Sequence, residues 1–304
     1  MNIIETHGLS RRYGRSEALH GLDLSVPSGS VFAFIGPNGA GKTTTIKVLM
    51  NLLEPSGGEA RVLGVNSKKL SPKEREQIGY VSENQKLPGW MTVRQLMDYC
   101  RPFYPTWDKD LEKKLLRQFE LPADRKIRHL SRGMMMKTAL LSSLAYRPKL
   151  LVLDEPFSGL DPLVRDEFVA GLLAATQQGE RTIFISSHDI NEVEQLADWV
   201  GIIDAGRMNL AEPTEAILSR IRRVEVKLNG DDFQMEPLPA SCLEIERARN
   251  LLRFVETRYS PETFERYLCE RFPDAEVSLR PMTLREIFIV LARTSRVKEI
   301  PSLK

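Results

Sequence analysis

Gly36-Pro37-Asn38-Gly39-Ala40-Gly41-Lys42-Thr43-Thr44 follows the apolar run Val31-Phe32-Ala33-Phe34-Ile35 and precedes Ile46-Lys47-Val48-Leu49-Met50. The first flank reads as a buried strand and the second as the opening of a helix. Strand, glycine loop and helix in that order are the context in which G-x-x-x-x-G-K-[S/T] cradles phosphate. Glycines let successive backbone N–H groups turn inward as a nest, at a density that side chains cannot match. Lys42 is placed to reach β- and γ-phosphates, and the Thr43 hydroxyl to hold Mg²⁺. A helix opening at Lys42 adds its positive dipole end beneath them. The sequence therefore predicts a nucleotide site on an α/β scaffold.

Composition narrows what that nucleotide drives. The 304 residues are enough for two domains, or for one large α/β domain with an appendage. Lys and Arg number 43 against 41 Asp and Glu, a balance that marks neither a nucleic-acid binder nor a polybasic membrane protein. Cys100, Cys242 and Cys269 are scattered and form no C-x-x-C pair. They fit a reducing cytosol rather than a disulfide framework or zinc site. Asn2-Ile3-Ile4-Glu5-Thr6 lacks the basic-then-apolar layout of a signal peptide. No apolar run approaches the ~18–20 residues that span a bilayer, so any membrane role is expected to pass through a partner.

Outward from the glycine loop, residues 2 to 30 read as short strands with turns. Tyr13 lies between them; such a residue is an ordinary turn tyrosine or a flat surface for adenine, and the local residues leave both open. A turn at 54–59, a strand at Ala60–Leu63 and a buried strand at Ile78–Val81 follow. From Thr92 to Glu120 apolar residues recur every three or four positions, predicting helices. Phe103–Asp108 interrupts them, with Asp108 as N-cap. Ser131 opens a further helix that runs towards Tyr146.

Leu150-Leu151-Val152-Leu153 predicts a strand buried on both faces, as in a parallel sheet. Ligands of such sheets sit beyond the C-terminal strand ends, where Asp154 and Glu155 stand. Two carboxylates there can divide the work, Asp154 turned to Mg²⁺ and Glu155 to an attacking water. Thr182–Ser187 is another buried strand, ending at His188. A helix is expected over 190–197, a strand over 200–203 and a turn at 204–207. After about Arg220 the order becomes β-β-β-α-β-α with no catalytic cluster, predicting a small α+β domain.

Together these pieces resemble the ATP-binding subunit of ABC transporters, over about residues 2 to 217. The resemblance is carried by Tyr13, the loop 36–44, Glu83, Leu130–Met134, Asp154-Glu155, Ser158-Gly159-Leu160-Asp161 and His188. Leu130-Ser131-Arg132-Gly133-Met134, Ser186-Ser187-His188 and the trailing Pro281–Phe288 look most like bacterial exporters of the ABC-2 kind. It implies a P-loop ATPase fold over 1–217, with a mixed core sheet, an antiparallel β subdomain and a helical subdomain at about 85–147. An accessory α+β domain occupies 218–304.

It also implies roles. Tyr13 stacks on adenine, and Gly36, Pro37, Asn38, Gly39, Ala40, Gly41, Lys42, Thr43 and Thr44 bind the phosphates of ATP. Thr43, Asp154 and Glu83 face Mg²⁺. Glu155 is the catalytic base, His188 senses the γ-phosphate and Lys42 completes the catalytic set. Ser131 and Gly133 contact ATP held by another subunit, and Asp161 links the two ATP sites. The resemblance further implies a head-to-tail dimer with a second copy or a paralogue, seated on an integral-membrane permease at the inner face of the membrane. Two motifs depart from the family pattern, at three positions. Glu83 stands where glutamine is usual, and L-S-R-G-M replaces L-S-G-G-Q, losing a glycine and the glutamine amide.

Rival readings have less support. Translation factors of this superfamily usually carry two ATPase units in a chain and repair ATPases insert a long coiled coil; this sequence shows neither, and no nucleic-acid partner is expected. A GTPase would carry N-K-x-D, which is missing. Importers share the same ATPase core, so the direction of transport rests on the exporter-like spellings.

Overall fold

The computed structural model describes residues 1–176, 181–228 and 237–298. Internal contacts divide the chain into Met1–Ala211 and Glu212–Lys304. The division falls ahead of the 217/218 boundary that the resemblance implies.

In the first unit, β1 (Asn2–Tyr13) and β2 (Ser16–Pro27) form one antiparallel hairpin. The expected short strands are thus two twelve-residue strands. Gly8 and Gly21 take positive φ where the register shifts, so they bend the strands as bulges and do not reverse the chain. Then come β3 (Val31–Ile35), α1 (Lys42–Leu49), β4 (Gly57–Val62), β5 (Val65–Asn66), α2 (Pro72–Arg75) and β6 (Ile78–Ser82). The helical stretch contains α3 (Val93–Cys100), α4 (Lys109–Gln118) and α5 (Arg132–Leu144). Asp108 caps α4 by accepting from the N–H groups of Asp110 and Leu111, and Ser131 caps α5 through the N–H of Met134. After these come β7 (Leu150–Asp154), α6 (Pro162–Thr176), β8 (Thr182–Ser187), β9 (Trp199–Asp204) and β10 (Arg207–Pro213).

These strands make two sheets. One is antiparallel, in the order β2-β1-β4-β5. The other is the core sheet β10-β9-β3-β8-β7-β6, parallel through β9, β3, β8, β7 and β6. Every residue of β7 and of β8 is buried, as four consecutive aliphatics in β7 predicted. Phe184 lies against Phe32 and Phe34, with ring centroids 5.7 and 5.3 Å away. The hairpin's Leu9, Leu22 and Val26 join α1's Ile46 and Leu49 in the same core.

One expected helix is absent. Residues 190–197 form a short 3₁₀ turn, Ile190–Glu192, and then irregular turns. The segment anchors the buried Glu192, whose carboxylate accepts from Ser187 Oγ and pairs with Arg165 at 3.3 Å. A regular helix with the same apolar spacing leaves a glutamate on its solvent face.

The second unit contains α7 (Thr214–Arg220), β11 (Arg222–Lys227), β12 (Cys242–Ala248), β13 (Leu251–Glu256), α8 (Pro261–Arg271), β14 (Glu276–Pro281) and α9 (Leu284–Lys298). Its sheet runs β12-β13-β11-β14, with every neighbouring pair antiparallel. Val224, Val226, Leu252, Phe254, Phe264 and Leu268 form its own core.

Phe184→Ala removes a fully buried ring from the middle of the core sheet. It should destabilise the first unit by about 3–5 kcal/mol, read as a lower denaturant midpoint for that unit's transition. A shift of only a few tenths of a kcal/mol would show that the phenylalanine cluster is not the core's centre.

Candidate active site

β3, β8 and β7 lie side by side and parallel, so their C-terminal ends meet at one edge of the sheet. Ile35 is level with Ser187, and Asp154 with Ser186. The glycine loop leaves β3 at that edge. Gly39 and Gly41 have φ of 83° and 107°, conformations that glycine alone adopts without strain. At Gly36 a Cβ would run into the Ile203 carbonyl, and at Gly41 it would come 2.7 Å from the Leu19 side chain. The loop's shape is therefore fixed from both sides, by β9 and by the hairpin.

Inside the loop is a cavity of about 180 Å³, lined by Ala18, Asn38, Gly39, Gly41, Lys42, Thr43, Thr44, Glu83 and Glu155. Lys42 is buried, and its Nζ lies 2.6 Å from the Gly36 carbonyl, 3.1 Å from that of Pro37 and 3.0 Å from Glu155 Oε1. The ammonium staples the loop across its own turn and pairs with a buried carboxylate. Glu155 has φ of 50°, the left-handed region that a non-glycine side chain occupies at a cost. This conformation sets its two oxygens between Lys42 and His188 Nδ1, the latter 2.7 Å from Oε2.

Asp154 accepts from Thr43 Oγ1 at 3.0 Å and from Ser186 Oγ at 2.9 Å. Burial raises its pKa above the ordinary carboxylate value, against the lowering effect of those two hydroxyls, and the charges of Glu155 and Glu83 add to the rise. A buried carboxylate beside a hydroxyl, with two more carboxylates near, is a hard oxygen set that a divalent cation would relieve. Among the described residues no cluster of three or more acidic, histidine or cysteine ligands exists. Mg²⁺ needs none, because it binds through one or two protein oxygens and shares the rest with phosphate and water. Thr43 and Asp154 fit it.

Other sequence-predicted residues lie elsewhere. Tyr13 is exposed at the hairpin tip beneath the Arg11 guanidinium, 4.8 Å from its ring centroid, and does not line the cavity. Ser131 is at the exposed start of α5. Gly133 is buried against Val164, whose Cγ1 would lie 2.6 Å from an added Cβ. Asp161 caps α6 by accepting from the Val164 N–H. None of these three lines the cavity either.

Two residues given no role from sequence are engaged here. Ser186, fully buried, donates to Asp154 and accepts from the Glu155 N–H at 3.0 Å, holding the backbone where it turns left-handed. Ser158 Oγ donates to Glu83 Oε1 at 2.8 Å. The signal for Ser186 is a hydroxyl at the end of an otherwise apolar strand, and it means something only once strand register is known.

Comparison with known proteins fits this geometry. Residues 19–158 match the ABC transporter family. The chain is 37% identical over 239 residues to the daunorubicin/doxorubicin resistance ATP-binding protein DrrA of Streptomyces peucetius, covering 76% of this chain and 71% of that one. It is 34% identical over 243 residues to the Nod factor export ATP-binding protein I of Cupriavidus metallidurans, covering 78% and 79%. A solved ATP-binding subunit of an ABC transporter superposes with a TM-score of 0.64 at 27% identity, over 71% of this chain and 92% of that one.

The hydrogen bond to Glu155 raises the His188 pKa above the ordinary 6.5, against partial burial. A raised folded-state value means that the His188–Glu155 contact stabilises the fold fully below about 6.5 and loses that effect as pH rises through the folded-state pKa. An NMR titration of the His188 ring should give a midpoint above 6.5 in wild type and a lower one in Glu155→Gln. An unmoved midpoint would separate the two side chains.

Proposed function

The chain belongs to the ABC transporter ATP-binding family, and on that premise we propose that it is the ATPase subunit of an exporter, working as a head-to-tail dimer beneath a membrane permease. The observation that carries the chemistry is the line Lys42–Glu155–His188 and, at the same edge of the sheet, the Thr43–Asp154 hydrogen bond.

Each residue then has a step. The N–H groups of Gly39, Gly41, Lys42 and Thr43 surround the phosphates. Lys42 exchanges its contact with Glu155 for β- and γ-phosphate oxygens, as the lysine of a phosphate loop does. Glu155, released from Lys42, accepts the proton of a water as its oxygen attacks the γ-phosphorus and the bond to the β–γ bridging oxygen breaks. His188 keeps Glu155 oriented and offers its ring to the γ-phosphate. Mg²⁺, held by Thr43 and Asp154, would neutralise charge on the β- and γ-oxygens.

Dimerisation is supported by where Ser131, Gly133 and Asp161 lie. They are outside the cavity of their own chain, yet Ser131 is an exposed cap at a helix N-terminus, an end suited to phosphate. A second copy turned head to tail would bring it to the open side of the glycine loop, with Tyr13 against the adenine. Export is supported by the relatives named for drug resistance and Nod factor export. No described helix is long and apolar enough to cross a membrane, so the path for cargo is assigned to a separate permease. The ATPase is then peripheral on the inner face of the membrane.

Purified protein should hydrolyse ATP in the presence of Mg²⁺. Glu155→Gln should lower turnover by about 10²–10⁴-fold while keeping ATP bound and increasing the dimer fraction in light scattering. Turnover unchanged in that variant would remove Glu155 as the base; a wild type without ATPase activity would remove the function.

A further inference from the structure

Two of the three positions that depart from the family pattern, Glu83 and Arg132, meet each other in the fold. Arg132 Nη2 lies 3.8 Å from Glu83 Oε1, the same oxygen that accepts from Ser158 Oγ. The guanidinium lies on Gly159: a Cβ there would be 2.7 Å from Nη1 and 2.9 Å from Cζ, and the glycine has φ of 67°. Three segments therefore converge on one charge pair, namely the loop after β6, the first turn of α5 and the loop after β7. Glu83 also lines the nucleotide cavity, with Lys42 and Thr43, and its negative charge there works against the phosphates of ATP.

We propose that Arg132 is a positioning residue for Glu83: its guanidinium offsets the negative charge that glutamate, standing where glutamine is usual, brings to this corner. Arg132 compensates the negative charge beside the phosphates, while Ser158 and the bare face of Gly159 hold carboxylate and guanidinium in register. Both partners are partly exposed, at 37% for Glu83 and 49% for Arg132, so the pair adds little to folding. Its effect is on ATP affinity. The inference rests on the nucleotide site proposed above but not on export.

The test is charge rescue. Arg132→Gly should raise the KM for ATP by about fivefold with kcat within about twofold, the size expected of one exposed charge pair. Adding Glu83→Gln to that variant removes the uncompensated carboxylate and should return KM to within about twofold of wild type. Gly159→Ala, which displaces the guanidinium, should raise KM in wild type and add nothing in Arg132→Gly. A double variant no better than Arg132→Gly, or a rise that falls on kcat instead of KM, overturns the proposal. If Arg132→Gly changes neither constant in a wild type that hydrolyses ATP, the pair is idle and only this inference fails. If wild type hydrolyses no ATP, the proposed function fails first.

Discussion

Parallel register is the constraint on which the rest depends. β3, β8 and β7 end level with one another because their ladders pair Ile35 with Ser187 and Ser186 with Asp154. A slip of one residue in β7 would turn Asp154 to the other face of the sheet, away from Thr43. The apolar residues of β7 and of the middle of β8, buried on both faces, do little to fix that register. Polar groups at the strand ends do more. The hydroxyl of Ser186 bonds both the Asp154 side chain and the Glu155 backbone, a pairing that only one alignment permits.

Beyond that edge the site is built from buried charge. Lys42, Asp154 and Glu155 are each at most 7% exposed, and a charge so buried is tolerable only when paired or hydrogen-bonded. The structure satisfies all three locally, with loop carbonyls for Lys42, hydroxyls for Asp154, and Lys42 and His188 for Glu155. The contacts that close the site are thus the ones a triphosphate must rearrange. Binding and catalysis act on the same short list of hydrogen bonds.

Much of this was legible in the chain. The glycine loop, the carboxylate pair after Leu153 and the histidine after Ser187 each announced themselves through an apolar strand followed by a polar end, a pattern local enough to read. The hairpin was not, because glycines that act as bulges look like glycines that make turns until the partner strand is known. The segment 190–197 misled for a related reason: its apolar spacing is helical, but buried Glu192 is claimed by Ser187 on the preceding strand and by Arg165 on α6, far earlier in the chain. Glu83 and Arg132 stood out singly as departures. Their proximity could not be seen from positions 49 residues apart along the chain.

The left-handed backbone at Glu155 has a consequence for how such a chain can change over generations. A side chain there opposes the conformation its own function needs, whereas glycine would accept it freely. On the role proposed for Glu155, drift at this position towards glycine relieves the strain but leaves no group to take a proton from water. In a paired assembly where one working site suffices, the redundant copy would lose this residue early and gain stability in doing so.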